Sequence, residues 1–178
     1  MESRDQTPES LLRAGITALK AGDRQGAENL IFRAIVREPT NAQAWLWMSV
    51  VQTDLEEKIR CLEQASSLNP EDARIEEKLE ALQEQQIELW IEEGYEALEN
   101  DDFDTARQRF LSVVDVREEN VEAWWALYRA SESAEDQIIC LENVLTLDPA
   151  HPEAERHLEA LQPDRPPLGT RRGRTSSG

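Results

Sequence analysis

Few side chains in this sequence could perform chemistry, and their spacing does not bring them together. His151 and His157 are the only histidines, and a separation of six residues does not place two side chains on one face of a helix. Cys61 and Cys140 are the only cysteines, and neither belongs to a CxxC pair. Each precedes a leucine in an apolar helical stretch, which is typical of a small buried thiol. The sequence therefore predicts no metal or redox site.

Motifs of catalysis and nucleotide binding are also absent from the sequence. It contains no GxxxxGK[ST], no GxSxG, no HExxH and no calcium-binding loop. Carboxylates are numerous, but they follow the polar stripes of amphipathic helices, where solvation explains them. We therefore expect a protein that is not an enzyme, with no catalytic residues and no cofactor.

Charge and hydropathy narrow the classes of partner. The net charge is −18, but the tail is basic. It contains four arginines, Arg165, Arg171, Arg172 and Arg174, and one acidic residue, Asp164. An acidic body repels phosphate backbones, so we expect no nucleic acid. No apolar run is long enough to span a membrane, and the polar beginning MESRDQTPES does not resemble a signal peptide, so we expect a cytoplasmic protein.

The body of the chain is a tandem duplication. A shift of 79 residues, from Gly15 to Gly94, brings two segments into register without a gap. The same shift aligns Ala44-Trp45 with Ala123-Trp124 and Cys61-Leu62-Glu63 with Cys140-Leu141-Glu142. We expect a first half over 8–82 and a second half over 83–162, between a disordered N-terminus, 1–7, and a disordered basic tail, 163–178.

The spacing of apolar residues predicts helices throughout each half. We expect no strand, because β-branched residues do not alternate with polar ones anywhere in the sequence. Thr7 before Pro8 predicts the start of the first helix, Gly22 its end and Asp23 the start of the second. Asp54 with Glu57 predicts the start of a fourth helix. Asn69-Pro70 and Asp148-Pro149 each place a capping residue before a proline, which favours a helix start there. Over 71–100 the pattern leaves two alternatives, one continuous helix or a break near 83–86.

Within each half, a finer repeat of small and large residues resembles the tetratricopeptide-repeat family. The residues that carry the resemblance in the first half are Leu11, Ala14, Gly15, Ala18, Ala27, Ile31, Ala34 and Pro39; Trp90, Gly94, Ala97, Ala106, Phe110 and Val113 restate them in the second. Glu118 replaces the proline expected there. Gly15 and Gly94 would let paired helices approach closely. The resemblance covers about 150 residues and implies a right-handed all-α solenoid of antiparallel helix pairs, with four repeats in two duplicated halves and a closing helix near 152–161.

The resemblance also implies where a partner would bind. In such arrays the first helix of each pair lines a concave groove, and its matched positions here are mostly apolar: Leu12, Ile16, Leu46, Val50, Ile91, Tyr95, Trp125 and Arg129. Neighbouring helices could instead cover these side chains. We expect a scaffold that binds an amphipathic or extended segment of another protein, flanked by basic residues. The alternative is a structural or oligomerising subunit of a larger complex, which an exposed apolar face on the last helix would favour.

Overall fold

The computed structural model describes residues 7–162, and within them every regular element is an α-helix. The helices run in chain order as α1 Pro8–Lys20, α2 Arg24–Arg37, α3 Ala42–Val51, α4 Leu55–Leu68, α5 Ala73–Glu99, α6 Phe103–Val116, α7 Val121–Ala130, α8 Ala134–Leu147 and α9 Pro152–Leu161. The predicted all-α class and closing helix are confirmed. Segment 71–100 contains a single helix, α5. Of the segments predicted to be disordered, 1–7 and 163–178, residues 1–6 and the whole tail lie outside the described residues. Thr7 is described, and its role as the cap of α1 makes the prediction wrong at that residue.

The helix boundaries follow the capping residues in most places. Thr7 caps α1 by accepting a hydrogen bond from the Ser10 amide, and Gly22 follows that helix with a φ of +85°. Asp23 and Asp54 cap α2 and α4 as predicted. The predicted starts at 69–70 and 148–149 are wrong, because Asn69 and Asp148 end α4 and α8. Each of those residues accepts a turn hydrogen bond from the amide three residues later, so the next helix starts after the turn.

The chain divides between Glu88 and Leu89 into two compact units, which we call unit 1 and unit 2. In unit 1, α1 packs on α2 and α3 packs on α4. The core contains the buried residues Leu11, Ala27, Ile31, Ala34, Ala44, Met48 and Cys61. A Cβ on Gly15 would lie 2.7 Å from Ile31 Cγ1, so the glycine permits the predicted close approach of α1 and α2.

Unit 2 repeats this packing with larger side chains. The buried core includes Phe110 of α6 together with Leu141, Val144 and Leu158 of α8 and α9. A Cβ on Gly94 would lie 2.7 Å from the Phe110 ring, at the position that Ile31 occupies in unit 1. Consecutive helices thus stack pair upon pair within each unit, as in an α-α solenoid.

A tryptophan hydrogen bond shows how closely the two halves match. Trp45 Nε1 donates to the backbone oxygen of Pro39 at 2.8 Å, and Trp124 Nε1 donates to the backbone oxygen of Glu118 at 2.7 Å. The 79-residue shift relates the two donors, Trp45 and Trp124, and it also relates the two acceptors, Pro39 and Glu118. Because the acceptor is a main-chain carbonyl, glutamate can replace the expected proline without loss of the bond.

Candidate functional site

The predicted groove residues of unit 1 have unequal exposure. Leu12 and Ile16 line a cleft of about 470 Å³ on α1, together with Glu9, Arg13, Thr17, Lys20, Asn41 and Gln43. Leu46 packs against the buried cluster formed by Leu62, Ala65, Ile75 and Leu79, whereas Val50 is 44% exposed. The charges around Leu12 and Ile16 are of both signs, with Glu9 beside Arg13 and Lys20.

In unit 2, Tyr95 of α5 is fixed from two sides. Its ring meets the edge of Phe110 with centroids 5.2 Å apart. Burial, followed by a hydrogen bond with Glu122 and the charge of that carboxylate, raises the pKa of Tyr95 to about 12, while the charge of Arg129 acts in the opposite direction. Glu122 was not among the predicted groove residues. Its place three residues before Trp125 puts it on the same face of α7, a signal that the sequence did contain.

Trp125 lies in a cluster of four aromatic rings, which we call the Trp125 cluster. Its ring centroid is 5.1 Å from Tyr128, 4.8 Å from His151 and 5.8 Å from His157. Tyr128 and His157 also meet each other, with the tyrosine hydroxyl 3.0 Å from His157 Nδ1. Trp125 nevertheless remains partly exposed. It is thus a surface tryptophan whose position is set by rings from α7 and α9.

The expectation that the two histidines lie apart is wrong. Helical spacing applies only to residues within a helix, and His151 precedes α9 as its N-cap. Its Nδ1 accepts a hydrogen bond from the Ala154 amide at 3.1 Å, which places its ring hydrogen on Nε2. From the cap, the ring of His151 reaches the same tryptophan as the ring of His157 on the helix.

The Trp125 cluster is specific to unit 2. The 79-residue shift relates its members to Leu46, Ser49, Asp72 and Lys78 of unit 1, and none of these is aromatic. Unit 1 forms the matching helix pairs with other side chains at these four positions. The rings of the Trp125 cluster are therefore not required by the repeated fold.

The two cysteine thiols lie away from the protein surface. Cys61 and Cys140 are both buried, and burial raises the pKa of each thiol, that of Cys140 to about 11. The reactive thiolate is therefore disfavoured at neutral pH. Among residues 7–162, no group of three or more histidine, cysteine or acidic side chains is placed to hold a metal ion. Nor does any helix there have the length and hydropathy needed to cross a membrane.

Comparison with known proteins gives likeness in fold alone. No family model matches the sequence, and no curated protein matches it. Among solved structures, a TPR repeats protein from Bacteroides fragilis is 15% identical, with 89% of this chain and 84% of that chain covered and a TM-score of 0.49. MamA from Desulfovibrio magneticus is also 15% identical, covering 86% and 82% with a TM-score of 0.40. YrrB, a TPR protein with an unusual peptide-binding site, is 13% identical, with 89% of this chain and 77% of that chain covered and a TM-score of 0.40.

Proposed function

We propose that this protein is a non-catalytic scaffold that holds a segment of a partner protein against the exposed face of α5 and α7 in unit 2. We call this face the unit 2 strip; its residues are Ile91, Tyr95, Glu122, Trp125 and Arg129. The observation that carries the proposal is the placement of Trp125, a partly exposed tryptophan held in position by three other rings. A groove of this kind suits an amphipathic helix or an extended segment.

The rigidity of Trp125 favours binding. A partner that lands on a mobile side chain must restrict its rotamers, at a cost of about 0.5–1.5 kcal/mol for each side chain immobilised. The rings of Tyr128, His151 and His157 already restrict Trp125 in the free protein, so less of this cost remains. Tryptophan and arginine are also the residues most often found at the energetic centres of interfaces.

The charges on the strip support a partner segment that carries a basic residue. Glu122 and Arg129 are exposed, lie on the same face of α7 as Trp125, and bracket it along the helix. The Glu122 carboxylate, which raises the pKa of Tyr95, is exposed and could accept a hydrogen bond from a lysine or arginine. An overall charge of −18 would also accelerate encounter with a basic partner. We therefore propose a segment with an apolar anchor on Trp125 and a basic residue beside Glu122.

Unit 1 would contribute through its own cleft, where Leu12 and Ile16 provide apolar surface. The cations Arg13 and Lys20 border that cleft together with a single carboxylate, Glu9. This cleft suits a ligand segment that is less basic than the one proposed for the unit 2 strip. Val50, exposed on α3, provides a further apolar contact.

The alternative function, a structural subunit that stacks through its last helix, has less support. The buried residues of α9 are Ala154 and Leu158, which pack into the core of unit 2. Its exposed residues include Glu153, Glu155, Arg156 and Glu159. A surface with this charge offers little apolar area to a neighbour placed against α9.

The proposal can be tested on a partner co-purified with the tagged protein from its own cells. Trp125→Ala should weaken binding by about 2 kcal/mol or more, equivalent to roughly 30-fold in Kd. Because Trp125 also contacts α9, circular dichroism must show that this variant remains folded. Glu122→Ala supplies an independent variant that removes no ring of the Trp125 cluster. It should slow association, and added salt should make its difference from the wild type smaller.

Glu63→Ala is the matched control, since it removes the same charge from an exposed position on α4, outside the strip. It should leave the affinity unchanged. Normal binding by folded Trp125→Ala and Glu122→Ala variants, together with loss of binding in Glu63→Ala, would refute the strip as the binding surface.

A further inference from the structure

The outward side of α2 has the two most exposed large hydrophobic residues of 7–162. Phe32 is 57% exposed and Val36 is 62% exposed, and their four-residue spacing places them side by side on the helix. The opposite side of α2 enters the core through Ala27, Ile31, Ala34 and Ile35. Phe32 and Val36 are thus not needed to fill unit 1, and their exposure indicates a contact outside it.

This side of α2 is also basic in an otherwise acidic chain. Arg33 and Arg37 follow Phe32 and Val36 directly, so the two pairs form adjacent stripes along the helix. Arg24 adds a third cation, and Glu28 is the only acidic residue of α2. We call Phe32, Arg33, Val36 and Arg37 the α2 face. It would suit a partner surface that is apolar at its centre and acidic at its border.

Unit 2 contains a surface of that description. A cleft of about 560 Å³ lies between the C-terminal end of α6 and α8, and we call it the α6–α8 cleft. Its apolar lining is Val114, Trp124 and Leu147; its acidic lining is Asp115, Glu118 and Glu119; Asn143 and Thr146 complete it. The volume falls within the range of pockets that hold drug-sized molecules, so it has room for two apolar side chains.

We infer that the α2 face of one copy of this chain docks into the α6–α8 cleft of a second copy. Phe32 and Val36 would enter against Trp124 and Leu147. Arg33 would lie beside the acidic border, where arginine can form two parallel hydrogen bonds with one carboxylate. Each copy carries a net charge of −18, but the Debye length at physiological salt is about 8 Å, so charges near the contact outweigh distant ones.

The duplication explains why the two surfaces would pair with each other and not with themselves. The 79-residue shift relates Asp115, Glu118 and Glu119 of the cleft to Val36, Pro39 and Thr40, all uncharged. It relates the arginines of the α2 face to Ser112 and Val116. The acidic border therefore occurs only in unit 2 and the basic apolar face only in unit 1.

Two complementary surfaces at different places on one chain make a heterologous contact. After two copies have joined, one α2 face and one cleft remain available. Such a contact therefore predicts association beyond the dimer, into rings or open chains. This assembly would use none of the residues of the unit 2 strip, so the two proposals can fail separately.

Sedimentation velocity of the full-length protein, over low to high micromolar concentrations at physiological salt, tests this inference. The wild type should associate increasingly with concentration. Phe32→Glu on the α2 face and Glu118→Lys in the cleft should each weaken the association roughly tenfold or more, because each places a charge against its partner surface. Phe103→Glu makes the same substitution at an exposed phenylalanine at the start of α6, outside both surfaces, and it should associate as the wild type does.

A mixture of the two weakened variants gives the most specific result. Phe32→Glu retains an intact cleft and Glu118→Lys retains an intact α2 face, so an equimolar mixture should form dimers that cannot extend. A monomeric wild type would overturn the inference, as would normal association of either single variant or a mixture that stays monomeric. Association that Phe32→Glu retains and that a synthetic peptide of residues 163–178 abolishes would assign the cleft to the arginine-rich tail and would likewise overturn the inference.

Discussion

Replacing Gly94 with alanine tests how closely α5 and α6 approach in unit 2. A Cβ at this position would lie 2.7, 2.9 and 3.0 Å from the Cζ, Cε2 and Cε1 atoms of Phe110. Carbon atoms attract best at about 3.5–4.0 Å, so all three contacts would be repulsive. Phe110 cannot easily move away, because it is fully buried and its ring also packs against Tyr95.

Two opposing effects determine how much Gly94→Ala changes the free energy of unfolding. Alanine is about 1 kcal/mol more favourable than glycine inside a helix. Overpacking a tight core contact costs about 1–3 kcal/mol, and three repulsive contacts with an immobile ring place the cost at the upper end of that range. We therefore expect Gly94→Ala to lower the free energy of unfolding by about 1–2 kcal/mol, and each kcal/mol should lower the Tm by about 2–4 °C.

A second substitution distinguishes this mechanism from general damage. Phe110→Leu removes the Cε and Cζ atoms that the new methyl group would meet. In that background Gly94→Ala should instead stabilise the protein by about 1 kcal/mol, the helix propensity alone. Urea denaturation of the four proteins, followed by far-UV circular dichroism, gives the coupling energy of the cycle.

Unit 1 provides a contrast. A Cβ on Gly15 would meet Ile31 Cγ1, an atom that has a counterpart in valine, as well as the backbone oxygen of Ala27 at 3.3 Å. Ile31→Val should therefore not rescue Gly15→Ala. If Gly94→Ala alone stabilises the protein by about 1 kcal/mol while Phe110 keeps its position, the reasoning from close approach is refuted.

Three further predictions concern local contacts. Burial raises the pKa of the Cys140 thiol to about 11 from an ordinary value of 9.0, so its stabilising contribution should be complete below pH 9 and should fall as the pH rises to about 11. In Cys140→Ala, the free energy of unfolding should therefore fall less steeply over this alkaline range. An unchanged pH dependence would contradict this cause. His151→Ala should cost about 1 kcal/mol in urea unfolding through loss of the α9 cap, whereas His151→Asp should retain the cap and the stability. Trp124→Phe should cost about 1 kcal/mol through loss of the hydrogen bond to the Glu118 carbonyl, measured by the same assay, and an equal loss is expected for Trp45→Phe at the matched position.

The local features of the fold could be predicted from the sequence because helices are specified by nearby residues. The shift from Gly15 to Gly94 revealed the duplication, and Thr7, Asp23 and Asp54 marked helix starts correctly. The Asn69-Pro70 and Asp148-Pro149 pairs failed, since a residue that can cap a helix can equally end the preceding one. The same ambiguity of local signals left α5 undecided between one helix and two.

The candidate site depended on contacts that local patterns do not specify. Trp125 meets His151 and His157 because the turn after α8 sets the direction of α9 and leaves His151 outside the helix, where rules of helical spacing do not apply. The divergence between the halves was already present in the sequence, but only the packing shows which of the differing side chains share a surface. The helical period of the sequence determines which side of each helix is apolar. Which of those sides meet depends on the distance and angle between helices, and these depend on how side chains such as Phe110 fill the core.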